Sequence, residues 1–543
     1  MKTKMVVKLF VVIFLFFCYP AKSIAQKDFS NHTDVTRPVF TDITSDVGLQ
    51  DIPGGRFSWN DFNNDGYPDL LIRGCGLYKN TGPLGNWKFI DVTEKVGLDK
   101  GSSFGVWGDY NNDGFADILS CNGVLWMNNE GKAFKNVTEE TKLKITQKIA
   151  TVSWGDYDND GFIDIYVGPV ADEPPPSYVF YSHELWKNYK GKHFEKVSIN
   201  NEIGQAKTYV RSAVWCDYNN DGRQEIYVGN YLYHANFLWK FDKNNNVKNI
   251  AEIVGCAGKA KKSHCYGHTI GATWADFNND ALFDLLVANL AHKDNFYNKE
   301  QLLNMRADKN DDSYIYINQG LPGHKFVDIR HKSDIPRKPV VTVKDVKLRG
   351  ITKIEDELWY DVVCADFDND SYIDVFITQA YNRDYARTLL FHNLGNLKFK
   401  DVSTETKINL ITDSGGVAVA DFNCDGFVDI VTSGSKSINE PKNVHLYRNE
   451  GNDKSWIKFQ LTGSASNRSA IGAIVKIKTK NGIQVRQVEG SGSSHGQQNS
   501  MVLHFGLGDM QKVNEVEILW PSGKKQKLTD LSVKKIHKIT ELQ

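Results

Sequence analysis

One fourteen-residue pattern constrains this chain more than any other feature. It occurs as "WNDFNNDGYPDLLI", "WGDYNNDGFADILS", "WGDYDNDGFIDIYV", "WCDYNNDGRQEIYV", "WADFNNDALFDLLV", "CADFDNDSYIDVFI" and "VADFNCDGFVDIVT". The first acidic residues of these copies are Asp61, Asp109, Asp156, Asp217, Asp276, Asp366 and Asp421, so successive copies stand 48, 47, 61, 59, 90 and 55 residues apart. Such self-similarity, with a base period near 47 and insertions, marks a repeat architecture in which each unit is one supersecondary element. A second element follows each pattern, as in "LWMNNEG", "LWKNYKG", "IYINQG", "LFHNLG" and "LYRNEG". A third follows that, as in "FIDVT", "FKNVT", "FEKVS", "FVDIR" and "FKDVS".

Each unit therefore offers four short strands, the composition of a propeller blade. "PVFTDIT" near the start is a lone fourth strand, while the seventh unit has no clear fourth strand after "VHLYRN". Pairing the two closes a ring and removes exposed sheet edges. The expectation is an all-β chain: a seven-bladed β-propeller over residues 26–455, then a small β-rich domain over residues 456–543.

Within each unit, oxygen-bearing side chains recur at positions 1, 3, 5 and 9 of a D-x-[DN]-x-D-G-x-x-[DE] loop. The residues are Asp61, Asn63, Asp65 and Asp69 in the first, then Asp109, Asn111, Asp113 and Asp117. Asp156, Asp158, Asp160 and Asp164 follow, then Asp217, Asn219, Asp221 and Glu225. The last three sets are Asp276, Asn278, Asp280 and Asp284, then Asp366, Asp368, Asp370 and Asp374, then Asp421, Asn423, Asp425 and Asp429. Alternating oxygens on a tightly turning backbone surround one hard cation; calcium takes six to eight, and glycine at position 6 permits the turn. The first half matches an EF-hand loop, which also needs a glutamate at position 12 and flanking helices. Position 12 here is Ile72, Ser120, Val167, Val228, Val287, Ile377 or Thr432, so the loop belongs to a β-hairpin instead. Asp, Asn and Gly also build metal-free turns, but seven copies with one acidic spacing favour calcium, up to seven ions at one per blade. Ala281 and Ser371 replace the position-6 glycine, which implies backbone strain, and units three and six, with four carboxylates each, should attract calcium most strongly.

The repeats resemble FG-GAP/VCBS-type calcium-binding propeller repeats. The last stretch resembles an ASPIC/UnbV domain through "SNRSAIGA", "HFGLG" and "WPSG". Together they are similar to the architecture of the cartilage-acidic-protein-like and UnbV-like family. That resemblance implies the fold and calcium, and leaves function open between adhesion, secreted matrix roles and catalysis.

Other features narrow the setting. A net charge of −1, from 65 basic and 66 acidic residues, gives no electrostatic case for nucleic acid. Residues 1–25 read as a signal peptide: Lys2, Lys4 and Lys8, then "LFVVIFLFFCY", then "SIA". The apolar run is well short of the roughly 20 residues needed to span a bilayer, so the expectation is a secreted, extracellular or periplasmic protein with no membrane span. Seven cysteines follow that segment, an odd number, and Cys256 with Cys265 is the expected disulfide. A zinc pair with His264 and His268 is the alternative at that loop.

Insertions fall almost wholly in the connections opposite the acidic turns. They carry Tyr178, Phe180, Tyr181, His183, Tyr231, Tyr233, His234, Phe237, His268, His292, Phe296, Tyr297, Tyr381, Arg383, Tyr385 and Arg387. Arg56 and Arg211 lie just before their inner strands, at the mouth of the central channel. Long loops need aromatic packing of their own, but as a set on one face these residues suit sugar stacking and anion recognition. The expected ligand residues are Arg56, Tyr181, His183, Arg211, Tyr233, His234, His268, Tyr381, Arg383 and Tyr385. The expected function is binding of a glycan or extracellular protein through that face. The alternatives are an enzyme on the same face, an acidic-polysaccharide lyase or a metabolite cyclase, or a purely structural adhesion protein. No nucleophile motif is present; "GSGSSHG", with Ser494 beside His495, reads as a flexible hairpin loop.

Overall fold

The structure, a computed structural model, describes residues 37–101, 104–172, 178–198, 201–260, 266–290, 312–335, 357–384 and 386–543. The expected signal peptide, Cys265, His264, His292, Phe296, Tyr297 and Tyr385 lie outside the described residues. Arg37–Gln543 form one compact unit. Among the described residues no helix is long and apolar enough to cross a membrane.

Four antiparallel strands per unit follow directly from the repeat. In the third unit, Ile149–Gly155, Asp164–Pro169, Glu184–Asn188 and Phe194–Lys196 pair in sequence order, and the acidic loop is the turn between the first two. Among the described residues seven such four-stranded sheets occur. In one of them Phe40–Asp42 supplies the outermost strand, pairing with Asn443–Asn449, as the lone N-terminal strand required. The innermost strand of each sheet packs against that of the next, and Val417–Ala420 returns to Phe57–Asn60. The result is the ring of a β-propeller.

Burial is graded from hub to rim. Inner strands are buried on both faces, while outermost strands such as Phe399–Asp401 bury one residue and expose the next. The tryptophan ending many inner strands fixes sheet to sheet. Trp154 Nε1 donates to the Val106 carbonyl, Trp215 Nε1 to Ser153 Oγ and Trp274 Nε1 to the Val214 carbonyl. The glycine after Trp154 serves this packing: a Cβ on Gly155 would meet the Trp215 ring at 2.3 Å.

The C-terminal domain has two sheets. Ser455–Thr462 lies between Leu503–Gly508 and Lys535–Thr540, pairing in parallel with the latter. Ile474–Thr479, Gly482–Gln487, Lys512–Leu519 and Lys525–Ser532 form the other. Its core, including Phe459, Val475, Phe505 and Ile518, is continuous with that of the second and third units. The domain covers the acidic-loop face: Ser469 Oγ accepts from the Asp109 N–H, Lys458 pairs with Asp421, and Asn481 donates to Ser371 Oγ.

From this domain residues 489–500 descend into the central channel. Trp154 N–H donates to the Gly490 carbonyl, Ser491 Oγ to the Ala213 carbonyl, and Ala272 N–H to the Ser493 carbonyl. Val362 N–H reaches Ser493 Oγ, and His495 N–H donates to the Arg211 carbonyl. Gln498 joins two further inner strands by bonding Phe57, Trp59 and both backbone groups of Trp107, and Asn499 Oδ1 accepts from the Val419 N–H. One loop thus bonds to the inner strand of every sheet. The expectation of a flexible hairpin at "GSGSSHG" is corrected. Inner strands expose unpaired backbone groups to the channel, and the small, polar loop satisfies them there. Replacing Gln498 by Ala leaves both backbone groups of Trp107 without these partners, so stability should fall by about 2–4 kcal/mol. The midpoint of urea unfolding checks this, and a change below about 0.5 kcal/mol would mean that the loop does not sit in the channel in solution.

Candidate functional site

The acidic loops share one internal geometry. The first aspartate accepts the backbone N–H groups of positions 5 and 6: Asp61 from Asp65 at 3.0 Å and from Gly66 at 2.7 Å. Asp276 and Asp366 accept from Ala281 and Ser371 in the same way. Those two residues adopt the glycine-like conformation, at φ 68° and 86° against 96° for Gly66. The expected strain is therefore present, at about 1–2 kcal/mol per residue.

The ninth residue does a second job. Asp69 accepts from the Phe62 N–H and from Asn80 on the third strand, and five other units repeat both bonds with Asp117, Asp164, Asp284, Asp374 and Asp429. That asparagine also donates to the preceding unit, as Asn80 does to the Phe422 carbonyl. Unit four departs twice: Glu225 replaces the aspartate and Phe241 the asparagine, and Lys240 pairs with Glu225 instead.

Position 4 was not singled out from the sequence, although it is asparagine in six units. Each of these residues is left-handed, and Asn64, Asn112, Asn159, Asn279 and Asn369 donate to the position-6 carbonyl of the next unit. Cys424 fills the place in unit seven, with its Sγ 3.8 Å from the Gly66 carbonyl. The recurrence was the available signal.

The donor set fits a hard cation. Burial pushes the Asp61, Asp109 and Asp217 carboxyls up to about 6, and Asp276 to about 7. Burial, then Asp160 and Asp158, raises Asp156 to about 7. Asp158 Oδ1 and Glu225 Oε2 are buried without a hydrogen-bond partner. Carboxylate oxygens of Asp156, Asp158 and Asp164, and of Asp366, Asp368 and Asp370, converge within 4.8 Å. Basic side chains already answer part of this charge, which the repeat pattern did not reveal. Lys187 bridges Asp158 and Asp160, Lys79 pairs with Asp65, and Lys454 with Asp368. Burial opposes a charge on His392, yet Asp374 and the neighbouring carboxylates lift it to about 9.

At the opposite end of the channel two of the expected ligand residues meet the tip of the C-terminal loop. Arg211 Nη1 donates to His495 Nε2 at 2.8 Å, and its guanidinium lies 4.3 Å and 4.8 Å from the Tyr209 and Tyr231 rings. Arg56 Nη2 donates to the Tyr360 hydroxyl at 2.8 Å, and Nη1 stands 3.8 Å from Asp361. The Tyr360 ring stacks on His495, with centroids 5.9 Å apart. Burial, followed by Arg56, Arg211 and Arg73, holds the His495 imidazole well below its ordinary range. Arg73, Tyr360, Asp361 and His495 were not singled out as site residues. Arg73 sits at the end of its second strand as Arg56 sits at the start of its first, which was the usable signal.

The other expected ligand residues scatter around this mouth. His268 is buried against Tyr231 and Tyr233, at 4.7 Å and 4.2 Å. His234 lies edge-on to Phe180 and within reach of the Tyr231 carbonyl, while Tyr181 bonds Asp172. Tyr381 is half-buried and Arg383 is exposed. His183 is corrected: it is fully buried between sheets, with Nδ1 2.6 Å from the Tyr166 hydroxyl and Nε2 2.7 Å from Thr208 Oγ1. It packs the core because it directly precedes the buried strand Glu184–Asn188 and finds hydroxyl partners on both ring nitrogens.

A family model described as an FG-GAP-like repeat matches residues 61–120, 217–287 and 366–432, and one described as ASPIC and UnbV matches residues 463–543. Cartilage acidic protein 1 of Mus musculus is 25% identical over 328 residues, covering 59% of this chain and 41% of its own length. The Homo sapiens protein of that name is 24% identical over 328 residues, covering 59% and 40%. The chain thus spans about two fifths of the length of these relatives. Among solved structures, an Agrocybe aegerita lectin with specific recognition of non-reducing terminal N-acetylglucosamine covers 77% of this chain and 94% of its own. Its TM-score of 0.37 and 13% identity carry no argument about function.

The structural role assigned to His183 has a pH signature. Burial, then His234, depresses it to about 3, so the folded state holds it neutral while the unfolded chain protonates near 6.5. Its contribution is complete above about pH 6.5 and is lost as pH falls from there towards 3. The stability slope should reach about 1.4 kcal/mol per pH unit from this group. His183→Gln should remove that increment between about pH 6 and 4 in urea titrations at fixed calcium, whereas an unchanged slope would place His183 outside the core.

Proposed function

We propose that this chain, which carries FG-GAP-like repeats followed by an ASPIC and UnbV domain and is related to cartilage acidic protein 1, is an exported calcium-stabilised propeller that binds a glycan or extracellular protein ligand. The binding face is the one opposite the acidic loops. One observation carries this choice: the C-terminal domain covers the acidic-loop face, while Arg56, Arg211, Tyr231, Tyr233 and His268 gather at the other mouth. Tyrosine faces beside guanidinium groups suit sugar rings and acidic substituents. Export is supported by the secretory pattern of residues 1–25.

Calcium is supported by the loops themselves. Four side-chain oxygens per loop, raised carboxyls and partnerless buried oxygens favour a divalent cation over further hydrogen bonds. The ion supplies positive charge that relieves repulsion among the carboxylates. The chain's part is to hold the first aspartate against two backbone N–H groups, so that its oxygens face inward before any ion arrives. Lys187 must leave Asp158 and Asp160 for unit three to fill, whereas the second unit has Met127 at that place and no such competitor.

Calcium binding to the folded state alone stabilises by about 2.7 kcal/mol per site at a hundredfold excess over Kd. A chelator should therefore lower the melting temperature by at least about 10 °C in differential scanning calorimetry, and an unchanged temperature would remove calcium from the reading. For the ligand face, Tyr233→Ala with Arg383→Ala should weaken any ligand found on a glycan array at least tenfold while the melting temperature holds. Retained binding would put the ligand elsewhere.

A further inference from the structure

Among the described residues the channel mouth holds more positive charge than is paired. Arg56, Arg73 and Arg211 all act on the His495 imidazole, and the Asp361 carboxylate lies against Arg56. Asp361 is already committed: Ser493 Oγ and Gln497 Nε2 donate to its two oxygens, as do the Val362 and Val417 N–H groups. Arg56 is only 6% exposed, yet its Nη1 makes no hydrogen bond. Arg211 Nε also lacks a partner, and its Nη1 donates to a neutral ring nitrogen. A buried guanidinium without a full set of acceptors is costly. Here the cost falls on the buried Arg56 and the half-buried Arg211, with a third, Arg73, exposed.

The arrangement is rigid. Arg211 rests on the Tyr209 and Tyr231 rings, Arg56 on Tyr360, and Arg73 on Phe104. Stacking fixes each guanidinium plane, and Arg56 Nη1 and Arg211 Nε remain as donors without an acceptor among the described residues. His495, bonded to Arg211 by Nε2 and facing Ser494 Oγ with Nδ1, closes the floor. That floor comes from the C-terminal domain, so the site exists only when both domains are assembled.

We propose that this mouth binds an acidic glycan, with one carboxylate or sulfate of the sugar held among Arg56, Arg73 and Arg211 above His495. The proposal rests on the reading that this face takes the ligand, and it adds the ligand's charge and the second domain's part in the site. A planar or tetrahedral oxyanion accepts forked N–H pairs from several guanidinium groups at once, while the half-buried Tyr233 and Tyr381 near this mouth suit the ring that carries it. An acidic protein segment shares the charge but lacks that ring.

The test uses the full mature chain with calcium present, and isothermal titration calorimetry with four probes: a galacturonate hexamer, a heparin-derived hexasaccharide, a neutral maltohexaose and polyglutamate. At least one acidic oligosaccharide should bind, and maltohexaose should not. Arg73→Gln, at an exposed position, should weaken that binding at least tenfold with an unchanged melting temperature, and Arg211→Gln should do so more strongly. Should Arg211→Gln fail to fold, Arg73→Gln alone decides. Binding of maltohexaose at equal affinity, or a change below twofold in Arg73→Gln, overturns the anion site and leaves the glycan-binding face standing. Polyglutamate binding as tightly as the sugars overturns the glycan in favour of an acidic protein. If none of the four binds the folded, calcium-loaded protein, this proposal fails, while the reading of a face that takes some glycan or protein stands or falls on the array experiment above.

Discussion

The buried aspartate at the ninth loop position holds six of the seven sheets of this ring in register. Asp164 shows how: one oxygen takes the Tyr157 N–H of its own loop, the other takes the N–H of Asn188 on the third strand. Asn188 then spends its amide on the Ile163 carbonyl and on Tyr110 of the preceding unit. A single acidic residue therefore ties a hairpin to its third strand and, through one partner, to the neighbouring sheet. Burying it is costly, since its carboxyl is driven well above the ordinary range by burial and then by the aspartates around it. Each set of bonds offsets that cost locally, and six of the seven sheets repeat the gain.

The same acidic loops work at two levels. Inside a unit they organise the turn, and between units the position-4 asparagine carries a hydrogen bond around the ring. Towards the C-terminal domain they present a ring of carboxylates, met by Lys458 at Asp421 and by Lys454 at Asp368. Loop charge and domain docking are thus coupled, through ammonium groups that hold structure together at the acidic loops.

The channel shows a different economy. A propeller hub leaves inner-strand polar groups facing one another across a central gap. Residues 489–500 fill it with serine, glycine, glutamine and one histidine, all able to bond backbone at close range. Filling from one side leaves the other mouth, among the described residues, with a floor and a rim. The aromatic and basic residues collect there.

Much of this was legible in the amino-acid order. The repeat set four strands per unit, the placement of "VFTDIT" required the ring to close through the last sheet, and the oxygen spacing located the acidic loops. These follow from short-range rules, since period and turn chemistry act within a dozen residues. The mouth that Arg56 and Arg211 face was legible too, because their place beside an inner strand decides it. What only the tertiary structure decided is everything that joins residues far apart in the chain. "GSGSSHG" has the composition of a mobile loop, and nothing within it records that seven inner strands offer it partners. His183 sits in a loop-rich stretch and ends up in the core, while Arg73, Asp361 and His495 become neighbours across more than 400 residues. A sequence fixes its own turns through local sterics and hydrogen bonds, but which distant polar groups find each other depends on where the closed ring brings them.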